Sequence, residues 1–110
     1  IYFYVFFWFI YLQSHFDFTI ESIKEGGGDA IICTGITTGR SPDLDDVIAM
    51  KEMAEGLPVI VGSGVNAKTV RDFLSISDGV IIGSSFKKNG KVLNPIDEER
   101  VAAVMAQLAE

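Results

Sequence analysis

The sequence predicts a parallel α/β fold of three to four β-α units, the fold class of a (β/α) barrel fragment or of part of a doubly wound sheet. Three observations predict it. Short apolar runs recur as "DAIICTG", "PVIVG" and "GVIIG"; stretches with apolar residues three and four apart separate them; and each run ends in glycine, serine or threonine. Runs that stay apolar at every position suit strands covered on both faces, the condition of a parallel sheet. Helical crossovers then return the chain, right-handed, to a parallel neighbour.

The elements follow in order. "IYFYVFFWFIYL", Ile1 to Leu12, carries no charge and is rich in aromatic residues. A bilayer-spanning helix needs about 20 residues, so this tract is too short to span alone. Its aromatic content suits a strand; a truncated membrane segment and a sequence artefact are the alternatives, and the status of residues 1–13 stays open between them. Asp17 can cap a short helix carrying Ile20 and Ile23, stopped by Gly26-Gly27-Gly28. Ala30 to Thr34 is the next strand. Ser41, with Pro42 at the first helical position, opens a helix whose face is Leu44, Val47 and Ile48 and which Gly56 ends. After the strand Pro58–Gly62, Asn66 caps a helix with Val70, Phe73 and Leu74 at helical spacing. Gly79 to Gly83 is the last strand. Beyond a polar loop, Pro95 and Asp97 start a final helix striped by Val101, Val104, Met105 and Leu108. No linker interrupts this order, so residues 1–110 form a single domain. The chain opens on Ile1 rather than Met, and a piece of a longer protein is expected.

Composition removes several classes. With a net charge of −6 the chain lacks the basic face that a nucleic-acid backbone or an anionic membrane attracts. Its one cysteine, Cys33, allows neither an internal disulfide nor a zinc cluster. That fits a reducing compartment, and a cytoplasmic protein is expected. One histidine, one cysteine and scattered carboxylates give no metal-ligand spacing, so neither a metal nor a cofactor is expected.

The chemistry points to the strand ends. In parallel α/β folds ligands lie at the carboxyl ends of the strands, and here those ends read Thr34-Gly35, Gly62-Ser63-Gly64-Val65 and Gly83-Ser84-Ser85. Glycine lets the main chain approach an anion closely and turn its N–H groups toward it. A helix terminus contributes about 0.3–1 kcal/mol toward an anion, whereas each hydrogen bond to a charged group is worth about 1.5–3 kcal/mol. Strand-end amides and serine hydroxyls should therefore dominate. Gly62, Ser63, Gly64, Val65, Gly83, Ser84 and Ser85 are the predicted phosphate-binding residues, and Thr34, Gly35 and Arg40 are further candidate contacts. The loop "SSFKKNGK" adds Lys87, Lys88 and Lys91 with no acid among them. A dinucleotide turn is the rival, because "GSGVNA" fits G-x-G-x-x-A between a strand and a helix. Such a site also wants an acid at the end of the next strand, where this chain has Gly83-Ser84; the nearest acid, Asp78, precedes that strand. Asp29 and Asp78 fall on the opposite, stabilising end of the sheet. Cys33 reads as a small buried hydrophobe. His15 follows the first apolar tract, where a general base is one reading and a structural residue the other. No residue is assigned a catalytic role.

The set "DAIICTGITTGRSPD", "PVIVGSGVNAKTV" and "DGVIIGSSFKKNGKVLNPID" resembles the BtpA family of TIM-barrel proteins, from about Gly28 to the C-terminus. The resemblance implies that these strands are the last three of the barrel, with the phosphate-type site on the final two. It also implies that a longer chain, or further copies in a homo-oligomer, complete the barrel. Two functional classes follow. One is a metabolic enzyme or enzyme remnant binding a phosphorylated small molecule. The other is a non-catalytic assembly or stability factor for a membrane complex such as photosystem I, peripheral to an organelle or thylakoid membrane. A truncated, non-functional fragment is a third reading.

Overall fold

A computed structural model describes residues 3–6, 25–35 and 41–109. It contains strands β1 (Phe3–Phe6), β2 (Ala30–Cys33), β3 (Val59–Val61) and β4 (Gly79–Val80), and helices α1 (Leu44–Met53), α2 (Val70–Ile76) and α3 (Glu98–Leu108). Two 3₁₀ turns, Ser84–Phe86 and Lys88–Gly90, lie between β4 and α3.

All strand pairs are parallel, and the sheet order is β1-β2-β3-β4. Each strand lies beside the one before it in the chain, so the order never reverses among the described strands. A doubly wound sheet needs that reversal to form its crevice. The fold is therefore a singly wound parallel α/β sheet, the arrangement of a partial (β/α) barrel. Phe3 pairs with Ala30 and Phe6 with Cys33, so part of the N-terminal tract is a strand.

Alternation along the strands explains which face is sealed. Ile31, Cys33, Val59 and Val61 are fully buried and share one core with Val47, Met50 and Ala54 from α1 and its end, Val70 and Phe73 from α2, and Val104 from α3. Each such aliphatic side chain contributes about 1.5–3 kcal/mol on burial. Helix α1 packs beside α2, and α2 beside α3, so the three helices cover the same side of the sheet. Ile32, Ile60 and Gly79 share the neighbouring register row, which faces the other way. They are only half-buried, and Ile81 beyond them is 48% exposed. That is the side a closed barrel turns inward. Gly62 lies on it too, where a Cβ would stand 3.2 Å from Ile32 Cγ2 and 3.6 Å from Thr34 Cγ2. A side chain there would have to displace its neighbour.

Several boundaries differ from the sequence expectation. Helix α1 begins at Leu44, with Asp43 rather than Ser41 in the capping position, and its buried face is Val47 and Met50, while Leu44 and Ile48 are exposed. Gly56, at φ +94°, does end that helical stretch. Thr69 rather than Asn66 stands immediately before α2; Asn66 heads the turn that runs into the helix, its carbonyl accepting from the Thr69 and Val70 amides and its side chain from Lys68 N at 2.9 Å. Strand β4 is two residues long, extended by one bond from Ile81 N to Val61 O. Asp97 caps α3 as expected, accepting from Glu99 N at 3.1 Å, but of the expected stripe Val104 is buried whereas Met105 and Leu108 are exposed. The expected Asp17 helix lies outside the described residues except at its end, where Gly27 adopts φ +77°.

Asp78 closes the amino-terminal end of the sheet, the end opposite the predicted ligand face. Its Oδ2 accepts from Val59 N at 2.7 Å and from Lys51 Nζ at the end of α1. The Lys51 hydrogen bond, then the Val59 amide, holds this carboxyl below its ordinary range. A carboxyl whose folded-state pKa is lowered stabilises the fold above its ordinary pKa and ceases to do so as pH falls through the lowered value. Because the pair is well exposed, the contribution is about 1 kcal/mol or less. Asp78→Asn should therefore melt below wild type at pH 7, and the gap should narrow below about pH 4, as followed by circular dichroism.

Candidate functional site

The carboxyl ends of β3 and β4 open on a cleft of about 580 Å³. One wall is the corner leaving β3, lined by Ser63, Gly64, Val65 and Asn66. The other is the exit of β4, with Ile81, Gly83, Ser84 and Ser85; Gly90 and Val92 come over from the following loop, and Arg100 from α3.

The β3 corner is sharp for a local reason. Ser63 and Gly64 are consecutive residues in the left-handed region, at φ +72° and +68°. Glycine adopts this freely, but a residue with a side chain does so at a cost of about 1–2 kcal/mol. Strain of this kind persists where surrounding structure enforces it, and here that structure is the buried pair Val61 and Val65 on either side of the turn. At the β4 exit the chain tightens into a 3₁₀ turn, with Phe86 N bonded to Gly83 O and Lys87 N to Ser84 O, both at 3.0 Å. The first amides of such a turn have no acceptor within it. Among the described residues, the N–H groups of Ser63, Gly64, Ser84 and Ser85 make no hydrogen bond to the protein. They border one cleft.

The predicted residues divide accordingly. Ser63, Gly64, Val65, Gly83, Ser84 and Ser85 line the cleft, although the Val65 side chain belongs to the core. Gly62 lies beneath the corner, with its N–H committed to Cys33 O at 2.9 Å. Thr34 and Gly35 are buried at the end of β2 and do not line this cleft. Arg40 and His15 lie outside the described residues. Lys87, Lys88 and Lys91 are not among the lining residues; among the described residues the cation that lines the cleft is Arg100. Its guanidinium donates from Nη1 to Ser85 O at 3.3 Å, and its Nε lies 3.7 Å from Asp97 Oδ2. In the sequence Arg100 reads as one half of an ordinary i,i+3 pair with Asp97. The signal that could have found it is the Asp97 cap, which sets Arg100 in the first turn of a helix starting near the strand ends.

The other titratable groups are set apart. Cys33 is fully buried, and burial, with a smaller effect of Asp46, pushes its thiol up to about 12. Asp46 is itself raised by burial and then by Asp43 and Asp45. Among the described residues no three histidine, cysteine, aspartate or glutamate side chains are placed to hold a metal ion. No helix among them is long and apolar enough to cross a membrane.

A singly wound sheet with helices on one side and a donor-lined cleft at the strand ends defines a (β/α)-barrel type of protein. The chain belongs to the BtpA family, whose profile matches residues 10–110. It is 38% identical over 91 residues to an uncharacterized protein of Pyrococcus horikoshii, covering 83% of this chain and 34% of that protein. It is 36% identical over 90 residues to the Photosystem I biogenesis protein BtpA of Synechocystis, covering 82% of this chain and 31% of the relative. An uncharacterized mitochondrial protein of Caenorhabditis elegans is 38% identical over 85 residues, 77% of this chain and 30% of its own. The chain thus spans about a third of the length of the curated relatives it matches. No solved structure gives a significant match.

At neutral pH the Cys33 thiol should resist an aromatic disulfide reagent in the folded protein and react fully in denaturant, as read by absorbance.

Proposed function

We propose that this protein binds a phosphorylated small molecule at the carboxyl ends of β3 and β4. The observation that carries the reading is the four amides of Ser63, Gly64, Ser84 and Ser85, unengaged by other described residues and bordering a common cleft. A tetrahedral oxyanion provides acceptors for such a set, and each bond to a charged group is worth about 1.5–3 kcal/mol. The strained Ser63-Gly64 corner supports it further, since strain of this kind clusters at ligand clamps. The donor set serves binding; no reaction is assigned. The amides follow the carboxyl ends of two adjacent parallel strands, which suits a phosphate site at the strand ends of a barrel, and the length of the relatives favours a longer chain completing that barrel.

A second reading draws on the name of the Synechocystis relative, a photosystem I biogenesis protein: a non-catalytic assembly factor, peripheral to its membrane complex. The two separate on ligand dependence. Calorimetric titration with inorganic phosphate and with glycerol 3-phosphate should give saturable binding. Gly64→Asp, which places a carboxylate and a strained φ at the corner, should weaken it at least about tenfold, or about 1.4 kcal/mol. Circular dichroism checks that the variant remains folded. Absence of saturable binding by wild type, with association to a membrane complex that no phosphate compound alters, would favour the assembly factor. A chain without a cooperative thermal transition would indicate the non-functional fragment.

A further inference from the structure

We infer that Arg100 selects the ligand class of this site, favouring a phosphate monoester with a small uncharged body over a carboxylate. The inference rests on the phosphate-binding reading above and adds to it a residue, a charge preference and a ligand shape.

Among the described residues the cleft's cation comes from α3 and not from the lysine-bearing loop that passes over it. That loop is a closed excursion: Lys87 pairs with Ile96, Lys88 N bonds Pro95 O, and Asn94 Nδ2 bonds Lys88 O at 2.7 Å. It presents Gly90 and Val92 to the cleft. Gly90, at φ +69°, holds a conformation that side chains rarely adopt, and a Cβ there would stand 3.6 Å from Arg100 Nη1. The guanidinium therefore lies beneath Gly90, beside the Ser85 carbonyl and near the Asp97 carboxylate.

Those partners leave most of its capacity available. A guanidinium carries five N–H donors in a rigid fork, and among the described residues its partners are one carbonyl at 3.3 Å and a carboxylate at 3.7 Å. Asp97 is already occupied at Oδ1 by its helix cap. A partly exposed pair whose nitrogen and oxygen stand 3.7 Å apart contributes little, so turning the fork toward a ligand costs little.

Donor counting then discriminates between anions. Amides at both corners together with a guanidinium fork exceed what the two oxygens of a carboxylate can accept in one orientation, whereas a phosphate monoester offers three terminal oxygens and a second negative charge near neutral pH. Arginine matches that geometry with paired bonds, which lysine cannot. The remaining wall is apolar: Ile81 and Val92, 48% and 68% exposed, line the cleft. A short uncharged carbon chain attached to the phosphate covers them.

The test is calorimetric titration of wild type, Arg100→Lys and Arg100→Gln with inorganic phosphate, glycerol 3-phosphate and acetate, from pH 5 to pH 8. Wild type should bind glycerol 3-phosphate more tightly than phosphate, and acetate weakly. Its affinity for glycerol 3-phosphate should rise through the second ionisation of that ester near about pH 6–7. Arg100→Gln should weaken glycerol 3-phosphate about tenfold or more and flatten that pH dependence; Arg100→Lys, which keeps the charge without the fork, should lose about three- to tenfold. Melting curves without ligand should stay close to wild type for both. If wild type binds phosphate and either variant binds within about twofold of it, the role of Arg100 is overturned while the phosphate site stands. If wild type does not bind phosphate at all, the site and the role of Arg100 fall together.

Discussion

The side chains of Ile31, Cys33, Val59 and Val61 form one apolar layer with α1, α2 and α3, and every group at the strand ends takes its position from that layer. Two central strands locked on one face cannot slip by one residue without exposing their buried row. The register therefore fixes where Gly62 stops and Ser63 turns. It also fixes the heights at which Val61 and Val80 stand side by side, so the corners that follow them open at the same level of the sheet.

Much of this was legible in the residues, for reasons that differ between elements. Strands β2 and β3 are short runs bounded by glycine or proline and apolar throughout, a pattern with few competing interpretations. Helix faces were less legible, because Leu44 and Ile48 satisfy helical spacing yet face solvent, while Met50 fills the gap above the sheet. Periodicity gives a stripe but not the direction from which the core approaches. Asn66 signals the start of the helical stretch but not its first regular residue, because its hydrogen-bonding chemistry is the same in a turn as at a cap, and the turn it heads runs on into α2.

The cleft shows the same division. Clusters of glycine and serine announce themselves locally, so six of its lining residues could be anticipated. Arg100 could not be, since its place depends on a loop returning to the sheet through the Lys87–Ile96 pairing. The lysines of that loop were the more visible cations in the sequence, and the fold leaves them off the lining. Gly62 illustrates the converse: its composition suggests ligand contact, whereas its amide completes the ladder with Cys33 and its missing Cβ makes room for Ile32. One glycine is there for packing and the next, Gly64, for a turn.

The two walls of the cleft rest on unequal foundations. The β3 corner rises from a strand paired on both sides, whereas the β4 exit hangs on a strand of two residues, one of them glycine. Local opening is easiest where the ladder is shortest. The outer wall is consequently the compliant one, able to adjust to an incoming molecule while the inner wall keeps its shape. Occupancy would be felt first as slower exchange of the Ile81 amide hydrogen with solvent.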